Sequence, residues 1–405
     1  MAYYYILRTF ARCYDITIIK SGKKTVKTLF LTYHGFENAS GISKKMLAQI
    51  KGLRENGHEV SVCHYSYADD GSRCRYVNDQ VIANFGHGKL AAFKQRFSYG
   101  CIYDYCMANG IELVYARSFM NASPPLVRLF KRLRQAGIQL VMEIPTYPYD
   151  GEFASLPLKH RMGLFVDKLF RWQLAAQFNA IVTFSDEKSI FGQRTINISN
   201  GIDMDSIPLL HPKPVEGCLH LIGVAEVHPW HGFDRVIKGI GEYYKKRKGT
   251  EVQVFFHIVG HVADAEMQGT RMAPGFAPLI EQYDIGQYVQ FHGQLFGKAL
   301  DEVFSQCTFA IGSLGRHRSG ITHIKTLKNR EYACRGIPFI YSECDSDFDH
   351  QPYVLKAAPD ESAIDIGHII DFMSKFNIPA SDIRKSVTHL SWKEQMQKVI
   401  EQVTL

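Results

Sequence analysis

The sequence predicts an α/β protein made of two doubly wound parallel sheets in tandem. Short apolar runs alternate with longer stretches of helical period along most of the chain. Those runs are apolar on both faces, as strands covered by helices on both sides must be. A proline-bearing stretch near the middle breaks the alternation, which then restarts. The 405 residues also exceed what a single core usually organises, so two domains are expected.

Taken in order, "VKTLFLTY" (26–33) is a strand, followed by a helix with Ile42, Met46, Ile50 and Leu53 on one face. Gly57 closes that helix, and "HEVSVCHY" is the next strand. "ELVYAR" (112–117), a helix over 123–135 and "IQLVMEI" (138–144) repeat the pattern, as do a helix over 158–178, "AIVTF" (180–184) and "TINIS" (195–199). "DSIPLLHPKPVEG" (205–217) carries three prolines and no regular period, and reads as a linker. Beyond it come "CLHLIGVA" (218–225), a helix over 232–247, "VQVFFHIVG" (252–260) and "YVQFHG" (288–293). A helix over 298–306, "FAIGS" (309–313), a helix over 324–335 and "IPFIY" (337–341) complete the second domain. The predicted domains are 1–205 and 206–390, and residues 1–24 fit no element. A last amphipathic helix at 391–403 is capped by Ser391 and Glu394. Its stripe of Trp392, Met396, Val399 and Val403 is expected to cross back onto the first domain.

Composition is ordinary for a globular protein, with 46% apolar and 21% charged residues and a net charge of +7. The basic residues form no long run and no interleaving with exposed aromatics, which argues against nucleic acid as a partner. Nine cysteines without a CxxC pair read as free thiols in a reducing compartment. The N-terminus lacks the basic start and apolar core of a signal peptide, and no stretch approaches the ~18 apolar residues of a membrane span. A cytoplasmic protein is expected.

Three stretches carry chemistry. In "HGFENASGISKK" (34–45), Gly41 at a helix start lets a ligand approach free backbone N–H groups, though a plain N-cap explains it as well. In "VAEVHPWHGFDRVIKGI" (224–240), His231 lies on the loop after the first strand of the second domain, where it can donate to a phosphate or stay solvated. "SLGRHRSGITHIKTLKNREYACRGIPFI" (313–340) is the strongest: a helix starting near Ile324, with Lys325, Lys328, Arg316 and Arg318 around it, makes a diphosphate cradle. Its bland reading is a Lys328–Glu331 surface pair of small value.

The span from about 26 to 405 resembles the family-4 glycosyltransferases of the GT-B fold, especially the polysaccharide-assembly members. The resemblance rests on "GISKKMLAQIKGLRENGHEV", "EIPTYPYDGE", "TFSDEKSIFG", "ISNGID", "GVAEVHPWHGFDRVI", "HIVGH" and "LKNREYACRGIPFI". It implies two Rossmann-like domains facing a central cleft and retaining, metal-independent transfer. The donor is a nucleotide-sugar, with no separate cofactor, and the acceptor is a glycan or lipid-linked oligosaccharide. It assigns Glu331 to the donor ribose and the backbone at Thr326, Leu327 and Lys328 to the diphosphate, with His231 and Gly41 also on the donor. His323, Lys328 and Arg318 are the catalytic candidates. The chain departs from the family pattern at His323, where a first Glu is expected, and at Ala225 and His231, where an Arg and a Lys are expected. Those departures keep two rivals open: a GT-B protein that binds without transferring, and a GT-B sugar-nucleotide epimerase.

"DMD" (203–205) and "DSD" (345–347) imitate a metal motif of another transferase fold, but sit at the linker and in a late loop, so no metal site is expected. The helix "LKHRMGLFVDKLFRWQL" (158–174) carries a stripe of Leu158, Met162, Phe165, Leu169 and Trp172 amid Lys159, Arg161, Lys168 and Arg171. Its first reading is a core-facing helix with a basic solvated side. The second is a helix on an anionic bilayer, with peripheral contact at the inner membrane face.

Overall fold

The computed structural model describes residues 25–33, 35–36, 41–118, 121–150, 158–211, 217–246, 252–271 and 273–404. The unplaced residues 1–24, Ser40 before Gly41, Gly151-Glu152 and linker residues 212–216 lie outside them. The chain divides into two compact units. One is formed by the residues up to Ile198 with Trp392–Leu405, the other by Ser199–Ser391.

The first unit holds strands β1 (Lys27–Leu31), β2 (Glu59–Tyr67), β3 (Arg73–Val77), β4 (Gln80–Gly86), β5 (Leu113–Arg117), β6 (Gln139–Ile144), β7 (Ala180–Thr183), β8 (Ser189–Ile190) and β9 (Gln193–Asn197). Its helices are α1 (Gly41–Glu55), α2 (Gly88–Phe97), α3 (Gly100–Ala108), α4 (Pro124–Gln135) and α5 (Leu158–Ala175). The second holds β10 (Cys218–Val224), β11 (Gln253–Val259), β12 (Val289–Phe291), β13 (Phe309–Ile311), β14 (Phe339–Tyr341) and β15 (Val354–Lys356). Its helices are α6 (Phe233–Lys246), α7 (Asp264–Gln268), α8 (Phe276–Tyr283), α9 (Lys298–Gln306), α10 (Leu327–Arg335), α11 (Ile366–Lys375) and α12 (Ala380–Ser386); α13 (Trp392–Thr404) closes the chain.

The first sheet runs β4-β3-β2-β1-β5-β6-β7-β9-β8, parallel from β2 to β9 with antiparallel additions at both edges. Alternating strand residues feed two cores. Leu29, Val114, Leu140 and Ile181 meet α3, α4 and α5 on one face. Phe30, Tyr115, Val141 and Val182 meet α1 and α13 on the other. Trp392, Met396, Val399, Ile400 and Val403 of α13 are all buried there with Met46, Ile50 and Leu53 of α1. The helices approach so closely that a Cβ on Gly52 would sit 2.6 Å from the Trp392 carbonyl oxygen.

The second sheet is wholly parallel, ordered β12-β11-β10-β13-β14-β15. Numbered within the unit this is 3-2-1-4-5-6, the Rossmann order, whose switch point lies between the carboxyl ends of β10 and β13.

Two expectations are corrected. The helix expected from Ile324 begins at Leu327, because the preceding residues stay extended: Cys344 N–H donates to the Thr322 carbonyl (2.7 Å) and Ile324 N–H to the Cys344 carbonyl (3.1 Å). Helix α5 does not bury the stripe read as its core face. Leu164, Leu174 and Ala175 face the core, while Met162, Phe165, Leu169 and Trp172 are 64, 64, 55 and 59% exposed. The segments 73–108, 264–283 and 354–386 hold elements that no sequence pattern assigned.

Candidate functional site

The site lies at the switch point of the second sheet and is built from three loops. After β10, one tight turn spans Pro229–His231. His231 N–H donates to the His228 carbonyl (2.9 Å), and His228 N–H donates to His231 Nδ1 (3.0 Å). That acceptor role places the proton of the neutral ring on Nε2, which is then a donor. The chain leaves this turn through Gly232 at φ 65°, where a Cβ would lie 2.7 Å from the Leu314 carbonyl carbon and the Gly315 nitrogen. The loop after β13 is pressed against it: Leu314 N–H donates to the His231 carbonyl (2.9 Å) and Gly315 N–H to that of Trp230 (3.1 Å).

Arg318 locks these loops together. It donates to the Pro229 carbonyl (2.7 Å) and to both Asp234 oxygens (2.8 and 2.7 Å), and it pairs with Glu361. Its side chain is 3% exposed, and hydrogen bonding from Arg318 holds the Glu361 carboxyl down at about 2. Its charge is thus balanced by two carboxylates.

The third part is the start of α10. Thr326 stands at the N-cap, but its hydroxyl makes no capping hydrogen bond and is buried without a partner. Uncapped helix N–H groups favour an anion there. Around this point several further polar atoms are buried and unpartnered: Lys328 Nζ, Asn329 Oδ1, Ser313 Oγ and both carboxylate oxygens of Glu343. Such atoms are costly to leave unsatisfied, which makes this helix start the candidate site. Burial first, then the neighbouring Arg316, lower Lys328 to about 7, with Glu343 opposing. Burial raises Glu343 to about 7 despite Arg316 and Lys328. Burial, Lys328 and Arg316 push His231 well down, so the imidazole is neutral at physiological pH.

Other charges of the stretch have different work. Arg330, 1% exposed, donates to Asp345 (2.7 and 3.1 Å), Ser199 Oγ (3.0 and 2.8 Å) and the Thr326 carbonyl (2.9 Å), and it pairs with Asp347. Both aspartates of the "DSD" stretch are therefore held by one arginine. Glu331, one turn into α10, keeps 30% side-chain exposure and accepts from Arg335 Nε (2.9 Å). His323 is exposed, with Nδ1 3.0 Å from Thr322 Oγ1, and its backbone pairs with that of Cys344, next to Glu343.

The structure thus brings His231, Arg316, Lys328 and Glu343 into one electrostatic neighbourhood, places Thr326, Leu327 and Glu331 on the helix that carries Lys328, and ties Arg318 to Asp234 and Glu361. Gly41 starts α1 in the first unit, exposed and with nothing within 4 Å of a Cβ. Glu343 was not anticipated. A carboxylate just past "PFIYS" was its only sequence signal, and nothing local marks it as unpartnered. The first unit holds a second unforeseen cluster at the carboxyl edge of its sheet. Buried Glu143 accepts from Gln49 Nε2 (2.6 Å) and Tyr115 OH (2.5 Å), with Lys45 and Arg117 at 3.8 and 3.9 Å.

No protein-family profile matches the chain, and no curated protein matches its sequence. Solved structures do. Sucrose-phosphate synthase from Thermosynechococcus elongatus superimposes with a TM-score of 0.58 at 15% identity, over 94% of this chain and 98% of that one. The catalytic domain of starch synthase IV from Arabidopsis thaliana, bound to ADP and acarbose, gives 0.58 at 12% identity, over 94% and 99%. TarM gives 0.58 at 10% identity, over 94% and 99%.

The fold is GT-B. Both units are the Rossmann-like domains of that fold, and the switch-point site lies in the C-terminal GT-B unit.

Proposed function

We propose that this GT-B protein is a retaining, metal-independent glycosyltransferase that moves a sugar from a nucleotide-sugar to a polysaccharide or lipid-linked oligosaccharide. The observation that carries the reading is the cluster at the start of α10: an uncapped helix N-terminus with the buried, unpartnered Nζ of Lys328 and neutral His231 beside it. In this reading the diphosphate lies on the N–H groups following Thr326, at Leu327 and Lys328. The ribose hydroxyls bind Glu331, which keeps an exposed edge. Charge that develops on the leaving diphosphate is met by Lys328, Arg316 and the His231 Nε2–H, all fixed before reaction. Side-chain cations take the part a metal would otherwise have. Arg318 acts by holding the His231 turn and the β13 loop in register, and His323 hydrogen-bonds a hydroxyl of the donor sugar. On the first unit, the helix start at Gly41 is the assigned point of backbone approach. The assigned place of work is the cytoplasmic side, peripheral to the membrane that carries the acceptor.

Two neighbours carry nucleotides or sugars in their structures: starch synthase IV has ADP and acarbose, and an E. coli trehalose-6-phosphate enzyme has UDP-2-fluoro glucose. These lend the reading support by likeness of fold. The second reading, a binder or an epimerase without transfer, is favoured by His323 and Ala225. The deciding experiment screens nucleoside diphosphates and their sugars by thermal shift, then follows nucleotide release with and without acceptor lipid extract. Ligand at about 100 times its dissociation constant adds about 2.7 kcal/mol and raises the melting temperature visibly. Glu331→Ala is expected to weaken binding at least tenfold. Release only with acceptor supports transfer, a new sugar nucleotide without release supports epimerisation, and binding with neither supports the inert reading. Unchanged affinity of Glu331→Ala for every nucleotide would remove that residue from the site.

A further inference from the structure

Helix α5 is apolar on two sides, and among the described residues the outer one is covered only where the edge of Trp172 meets Phe191 and Gly192. Leu164 and Leu174 are buried, whereas Met162, Phe165, Val166, Leu169 and Trp172 are 40–64% exposed along the opposite side. Five large apolar side chains on one helix face form a continuous strip rather than the scattered exposure of a normal surface. With 18 residues, the helix is about 27 Å long. It cannot cross a membrane, for Lys159, Arg161, Asp167, Lys168 and Arg171 lie within it, and no described helix is long and apolar enough to do so.

The charge around the strip selects its occupant. Helix α5 and its neighbour α4 together carry eight Lys/Arg and one acid, Asp167, which is buried. Arg134 of α4 reaches the C-terminal end of α5, donating to the Ala176 carbonyl at 2.7 Å. Among the described residues, partly exposed Asp150 is ion-paired with Lys168 (3.1 Å) and Arg171 (2.7 Å), which leaves the other cations of the two helices in excess. A second copy docked strip to strip would set two cationic surfaces against each other. A negatively charged surface with an apolar interior meets both features at once.

We infer that α5 is a docking helix that lies in the interface of an anionic lipid bilayer, with Phe165, Leu169 and Trp172 in the acyl boundary and Arg161, Lys168 and Arg134 at the headgroups. Such helices lie in the plane of the interface with their apolar face sunk about 5–10 Å. The inference rests on the lipid-linked acceptor reading above and names its surface. Its test contains neither donor nor acceptor, so its failure and the failure of the transferase reading are separable.

The test is cosedimentation of the full chain with vesicles of phosphatidylcholine, with and without phosphatidylglycerol. Binding to the anionic vesicles, weakened by salt, is expected, together with a blue shift of Trp172 fluorescence that is missing from Trp172→Phe. Phe165→Ser with Leu169→Ser should lower the partition coefficient more than tenfold. Arg161→Gln and Lys168→Gln should each lower it about fivefold. Phe165 and Leu169 are more than half exposed, so melting temperature and nucleotide affinity should stay unchanged in the Phe165/Leu169 variant, which separates lost docking from lost folding. Equal binding to neutral vesicles, or full binding by the Phe165/Leu169 variant, would overturn the inference. So would a wild-type chain that ignores vesicles, whether it dimerises through this strip, binds an acidic protein there, or stays monomeric.

Discussion

At the scale of single residues, the odd feature is the buried Nζ of half-buried Lys328 near the buried carboxylate of Glu343, both without hydrogen-bond partners. Burial favours the uncharged form of each: it lowers Lys328 from 10.5 to about 7 and raises Glu343 from 4.5 to about 7. Between pH 4.5 and 7 the folded chain keeps a proton on Glu343 that the unfolded chain has released, so stability falls as pH rises through that window. From pH 7 to 10.5 the unfolded chain keeps a proton that folded Lys328 has lost, so stability rises. The pair's contribution is therefore least favourable near pH 7. Glu343→Gln should remove the descending arm, a slope of at most about 1.4 kcal/mol per pH unit. Urea unfolding at several pH values reads this directly; identical profiles for both proteins would refute it. The charges facing the pair are Arg316 and Asp345, and the neutral imidazole of His231 lies beside Lys328. A bound diphosphate adds negative charge and raises the affinity of both groups for protons, so binding near neutral pH should take protons up. Titration calorimetry in buffers of different ionisation enthalpy measures the uptake, and buffer-independent heats would contradict it.

At the scale of elements, two close approaches define the architecture. Gly232 lets the His231 turn meet the β13 loop, and Gly52 lets α1 meet α13. The atoms in the way are backbone, which yields less readily than a side-chain tip. Gly52→Ala should therefore cost about 1–3 kcal/mol despite the better helix propensity of alanine. Gly41→Ala, at an open position in the same helix, is the control and should be near neutral. Denaturant midpoints compare the two; equal stability would mean that α13 moves aside without cost. Helix α5 shows why periodicity alone misplaced a face. Its outward stripe and its inward residues are both apolar, so the pattern has two solutions, and only packing against β7, β8 and α4 selects one.

At the scale of the whole molecule, the last helix belongs by its packing to the unit the chain left nearly two hundred residues earlier. Trp392, Met396, Val399, Ile400 and Val403 cover one face of the first sheet. Each buried side chain of this size contributes about 1.5–3 kcal/mol, and a domain's net stability is about 5–15 kcal/mol. Deleting residues 392–405 should thus abolish hydrogen-exchange protection in β1 and β5, while nucleoside diphosphate binding by the second unit survives. Unaltered exchange in those strands would show that the helix adds nothing to that core.

The amino-acid sequence by itself determined the strand and helix alternation and the two-unit order, because periodicity and local turn chemistry are properties of neighbours along the chain. It left β3 and β4, the antiparallel edge beside β2, unread, since those strands carry no shared burial pattern and take their order from pairing. Tertiary structure alone decided the partners of the charges. Arg318 and Arg330 look alike on paper to Lys328, yet the first two meet carboxylates brought from residues 234, 345, 347 and 361, while Lys328 meets none within hydrogen-bonding reach. Whether a charge is neutralised depends on distance in space, and that distance is set only when the sheet brings remote loops to one edge.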